Sequence, residues 1–241
     1  MERILARLDE HLARNDYAAA ERHLLYWLAE KEGTPVALTL SNELMGLYRK
    51  LERHDEAIAA AKRALALIGQ LGLDETLTAA TTYLNTATVL HAADKTAEGL
   101  PYFERARALY EAHLPEDDAR LGGLYNNMGL ALVALSRFDE ARALYARALS
   151  VMEKLPDGAG EVAITLLNLA DAARIEQGAE AAEAETSALI ARAWQLLDTY
   201  PARDGHYAFV CEKCAPIFGF YGYFRYEREL AERAGRIYEG T

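Results

Sequence analysis

The chain has 241 residues, 51% of them hydrophobic, and its 37 acidic against 26 basic side chains give a formal net charge of −11. That apolar content suffices for a substantial core and excludes disorder. The acidic balance argues against nucleic acid and against anionic membrane surfaces, which both require a basic face, and leaves a neutral or basic peptide or protein segment as the partner that fits.

The opening residues, MERILARLDEHLARND, mix charge and leucine at helical spacing and contain no uninterrupted apolar run of the signal-peptide kind. No later stretch approaches the length of an apolar membrane span. The expected location is the cytoplasm, which also suits a chain with only two cysteines.

Alanine, leucine, glutamate and arginine dominate nearly every segment, the six prolines never cluster, and β-branched runs are absent, so the chain reads as all-α. Asn15, Tyr17, Ala20, Leu24, Trp27 and Leu28 fit the turn and second helix of a short first hairpin. Beyond it a repeat sets in. The small residues that open successive second helices, Ala57, Gly99 and Ala141, are spaced at intervals of 42, and a fixed period of this size marks a solenoid.

In the clearest unit Tyr125, Met128, Gly129 and Leu132 form one face of a first helix, a turn follows at Ser136-Arg137, and Phe138, Ala141, Tyr145, Ala148 and Leu149 form the matching face of a second. TLLNLADAARIEQG (165–178) is another first helix. Its partner, centred on Ile190, Ala193 and Trp194, comes about four residues late, so AEAAEAE (179–185) is an inserted helical turn or a lengthened loop. The last unit matches by spacing (Gly222, Phe224, Ala234), with Pro216 inside its first helix and a polar outer face on its last.

The Tyr-x2-Met-Gly-x2-Leu…Phe-x2-Ala-x3-Tyr-x2-Ala-Leu run at 125–149 resembles the tetratricopeptide repeat. The long period and the paired asparagines of LYNNMG (124–129) are similar to kinesin light chain repeats. The resemblance implies one right-handed superhelix over 1–241, built of about six hairpins at approximately 1–35, 36–77, 78–119, 120–160, 161–203 and 204–241, whose first helices line a concave groove.

On that groove the resemblance sets Asn42, Asn85, Asn126, Asn127 and Asn168, with Asn127 one period after Asn85 and Asn168 brought to the same place by a one-residue change of register. An amide offers donor and acceptor together, so a row of them takes the backbone of an extended peptide whatever its side chains. The same amides serve equally to bond a neighbouring helix. Arg49, His91 and Arg174 lie near the groove and suit a ligand carboxylate, or are solvated helix ends. A dicarboxylate clamp for acidic chaperone tails is not matched, because the position before the asparagine is not basic.

HYAFVCEKCAPIFGFYGYFRY (206–226) holds eight aromatics. Phe218, Phe220, Tyr221 and Tyr223 form either an exposed interface or an aromatic plug at the end of the solenoid. Cys211 and Cys214 fall on a helix packing face, which indicates buried thiols and no zinc or thioredoxin-type site. Gly158-Ala159-Gly160-Glu161-Val162-Ala163 follows a helix and not a strand, so it is a turn and no dinucleotide fingerprint. With no nucleophile elbow, P-loop or H-E-x-x-H present, the expectation is a non-enzymatic binding scaffold, without cofactor, metal or catalytic residue. The alternative is a homo-oligomeric assembly module that dimerises through its aromatic end.

Overall fold

Thr34, Thr76 and Asp118 stand 42 residues apart, and each opens a helix by accepting a hydrogen bond on its side chain from a backbone N–H of the first turn. The backbone closes four of the six hairpins at the same interval. Positive φ recurs at Glu52, Asp94, Ser136 and Gly178, again 42 residues apart, and also at Asn15 and Gly222. These six residues mark the turns inside six helical hairpins, because a chain leaving a helix C-terminus reverses through a left-handed residue.

The computed structural model describes residues 1–239. Among them are twelve α-helices and no strand. They divide into two units, 1–113 and 114 onward. The first unit contains α1 (Glu2–Ala13), α2 (Tyr17–Glu30), α3 (Pro35–Lys50), α4 (His54–Leu71), α5 (Leu77–Ala92) and α6 (Thr96–His113). The second contains α7 (Ala119–Ala134), α8 (Phe138–Met152), α9 (Ala159–Gln177), α10 (Glu183–Asp198), α11 (Gly205–Phe220) and α12 (Phe224–Glu239).

Within each unit every odd-numbered helix packs on the even one that follows it, and odd helices also meet each other: α3 touches α5, while α9 lies between α7 and α11. Small residues at the crossings make this possible. A Cβ on Gly99 would stand 3.0 Å from the Ala87 carbonyl oxygen, and one on Gly129 would stand 2.5 Å from the ring of the fully buried Tyr145.

Residues 179–182 form a lengthened loop between α9 and α10, and not an added turn of helix. It is held from α8: Arg142 pairs with Glu176 at 2.8 Å and with Glu185 at 2.8 Å, and Gln177 also donates to Glu185.

The aromatic end is part core and part surface. Phe218 is fully buried, which corrects its assignment to an exposed interface. Its ring meets Trp194, Tyr223 and Tyr226 edge-on, and Trp194 and Tyr226 stack at 3.8 Å. Cys211 and Cys214 are buried in the same core, and burial pushes both thiols up. Phe220 and Phe224 point outward, each 62% exposed.

Candidate functional site

The candidate site is the face that α7, α9 and α11 form side by side in the second unit. Helical spacing puts Gly123, Asn126, Asn127 and Leu130 of α7 on it, and Glu161, Ile164 and Asn168 of α9. With Lys213, Cys214 and Ile217 of α11 they line a cleft of about 240 Å³.

The amides have distinct roles. Asn126 donates through Nδ2 to Thr165 Oγ1 at 2.8 Å, which ties α7 to α9. Asn127 donates to the Gly123 carbonyl of its own helix at 2.9 Å. Two amide ends in the cleft are buried without a protein partner: Oδ1 of Asn126, a residue 6% exposed, and Nδ2 of Asn168, a residue 7% exposed. One is an acceptor and the other a donor, the complement of a backbone N–H and C=O.

The turn residues revise the expected register. Ser136 and Gly178 stand 42 residues apart, and so do Asn126 and Asn168, so Asn168 corresponds to Asn126 and not to Asn127. Its deeper burial follows from that placement.

At its two ends the cleft continues. Gly123 and Glu161 are shared with a cavity of about 450 Å³ that Asp157 and His206 also line. Ile217 is shared with one of about 350 Å³ lined by Asp171, Arg174, Ile175, Pro216 and Phe220. There the Arg174 guanidinium sits 4.6 Å above the Phe220 ring, and Tyr221 donates to Asp171 at 2.8 Å. Burial raises the carboxyl of Asp171, outweighing the Tyr221 hydrogen bond and the charge of Arg174. Tyr223, half-buried, stacks on Tyr226.

In the first unit Asn42 donates to the Leu38 carbonyl at 3.0 Å and to Thr82 at 2.9 Å, and accepts from Asn85 at 2.8 Å. These bonds staple α3 to α5. His91 pairs with the Thr96 hydroxyl at 3.0 Å, which bridges α5 to the start of α6, and burial lowers its imidazole. Arg49 is exposed in the last turn of α3. Glu161, Lys213 and Asp157 were not anticipated as site residues. A signal for Glu161 existed in its position two turns before Asn168 on one helix face.

A tetratricopeptide repeat family model matches residues 35–112 and 120–189, more than half of the chain. The chain belongs to the tetratricopeptide repeat family. Proteins of this family act in general as protein-interaction scaffolds and not as enzymes. No curated protein matches the sequence.

Solved tetratricopeptide structures share the fold at low identity. BtubC (BKLC) from P. vanneervenii is 22% identical with a TM-score of 0.70 over 83% of this chain and 82% of that one. PilW, a type IV pilus biogenesis factor, is 16% identical with a TM-score of 0.60 over 95% and 89%. The nearly identical, kinesin-light-chain-type TPR-like repeats from Podosopora anserina are 16% identical with a TM-score of 0.56 over 85% and 96%. Among the described residues no helix is long and apolar enough to cross a membrane.

Proposed function

We propose that this chain is a non-enzymatic cytoplasmic adaptor that holds an extended peptide segment, neutral or basic, on its first-helix faces. Asn126, Asn127 and Asn168 take the ligand backbone in the second unit, and Arg174 adds selectivity at the end of the cleft. On the first unit the same reading assigns Asn85 and Arg49 to the ligand, while Asn42 serves the hydrogen bonds between hairpins and His91 one inside its own hairpin.

One observation carries this reading: a buried acceptor on Asn126 and a buried donor on Asn168, both without a protein partner, line one cleft. Buried polar atoms left unpaired are costly, and a peptide amide pairs both kinds. The test is selection from a random-peptide display library on the full chain, counter-screened against Asn127→Ala/Asn168→Ala after circular dichroism establishes folding. Peptides enriched on the wild type and lost on the variant are expected. Equal enrichment on both would remove Asn127 and Asn168 from the ligand site.

Self-association through the aromatic end is the second reading, favoured by the exposure of Phe220 and Phe224. Light scattering of the wild type against Phe220→Ser decides it: a concentration-independent dimer lost in the variant supports assembly, and a monomer in both removes it.

A further inference from the structure

The three cavities follow one another along α9, joined by the lining residues they share, and their charges differ from end to end, with Lys213 beside Glu161 in the middle cleft and Asp171 beside Arg174 at the far end. At the start of α9 the lining carries the carboxylates of Asp157 and Glu161 beside His206. Neither carboxylate forms an ion pair among the described residues. At the far end stands Arg174, stacked on Phe220 above an apolar wall that includes Ile175 and Pro216. Asp171 at that end is engaged by the Tyr221 hydroxyl. The unpaired amide ends of Asn126 and Asn168 lie between the two.

We propose that the ligand of this trough is a bipolar peptide segment, with a lysine or arginine at one end and an apolar residue followed by a carboxylate at the other. This rests on the peptide-binding reading above. Charge complementarity sets the polarity: the cation meets Asp157 and Glu161, the apolar side chain fills the space beside Ile175 and Phe220, and the carboxylate meets the Arg174 guanidinium. Geometry sets the length. Glu161 and Arg174 are separated by about 20 Å of helix at ~1.5 Å per residue, a span that about six extended residues cover. Such a segment carries no net charge, which suits a chain of −11 better than an acidic tail does.

The experiment is fluorescence anisotropy of the full chain with capped, labelled hexapeptides: Arg-Ala-Ala-Ala-Leu-Glu, its reversed sequence to cover both backbone directions, and analogues ending in Leu-Lys. The better direction of the bipolar pair is expected to bind about tenfold more tightly than its Leu-Lys analogue. Arg174→Glu is expected to invert that preference, Arg174→Gln to abolish it, and Glu161→Lys to weaken the arginine-ended peptide by about tenfold. Peptides that bind without regard to end charge, or whose preference survives Arg174→Glu and Arg174→Gln, overturn the bipolar ligand and leave the peptide site standing. Failure of every peptide to bind the wild type at about 1 mM, a threshold near 4 kcal/mol, overturns both.

Discussion

Asn126 donates to Thr165 across the α7–α9 boundary at 2.8 Å, and Thr165 passes the bond on to the Glu161 carbonyl at 2.8 Å. A buried polar chain therefore runs from one hairpin to the next, as it does from Asn42 to Thr82 in the first unit. An asparagine in a helix gains little from its own helix; here the first of the pair works as a staple between repeats while its other amide end is buried without a protein partner. Thr165→Val replaces the hydroxyl by a methyl of the same shape and leaves the Asn126 amide buried without its acceptor. A loss of about 1–3 kcal/mol is expected in urea unfolding. Asn127→Ala, whose side chain bonds only its own helix, is expected to cost less than about 1 kcal/mol.

Asp171 makes stability depend on pH in a defined direction. Burial raises its carboxyl, so the folded state holds that proton more tightly than the unfolded chain does. Stability from this group is therefore present in acid and falls as pH rises from the usual aspartate range through the raised folded value. Asp171→Asn keeps an acceptor for Tyr221 and removes the titration. The variant is expected to melt above the wild type at neutral pH, with the difference vanishing below the usual aspartate range. A pH-independent difference in thermal melts contradicts this account of the site.

The close helix crossings predict opposite effects for two glycines. Gly129→Ala forces a methyl against the buried Tyr145 ring and is expected to cost about 1–3 kcal/mol. Gly46→Ala, on an exposed position of α3 with no atom within 4 Å, is expected to stabilise by about 0.5–1 kcal/mol, since alanine loses less backbone entropy. Chemical denaturation of the two variants provides the comparison.

Arg233 fastens the last helix. Only 6% exposed, it donates to Asp198 at 2.6 Å, to the Tyr207 hydroxyl at 2.9 Å and to Glu229, and it stacks over Trp194. Arg233→Met is expected to destabilise by about 2–4 kcal/mol, below the full cost of breaking a buried pair because both carboxylates remain partly in water. Arg233→Lys is not expected to recover the loss, since a single ammonium cannot reproduce the planar fork.

The fold was legible because helix-forming composition, a 42-residue period and small residues such as Gly99 and Ala141 all reported the same hairpin. The register of the fifth hairpin was less so: the late arrival of Ile190 and Trp194 comes from a loop inserted after Gly178, while the turn itself keeps the period at Gly178. Phe218 looked exposable because aromatic density says nothing about direction, and only the stacking of Trp194 on Tyr226 fixes where the ring goes. The asparagines were visible as a row, but their division into staples and unpaired ends was not. It depends on Thr82 and Thr165, partners some forty residues away that no local pattern announces. Lys213 joined the site through the neighbouring helix α11, for the same reason.

The most direct test of the central claim follows the side-chain NH2 signals of the asparagines by ¹H–¹⁵N correlation spectroscopy while a display-selected peptide is titrated into the full chain. Saturable shifts of Asn126, Asn127 and Asn168 are predicted, with Asn42 staying in place because both ends of its amide are already bonded. Shifts confined to the Phe220 and Phe224 end, with the asparagine signals of the second unit unmoved, would contradict the account.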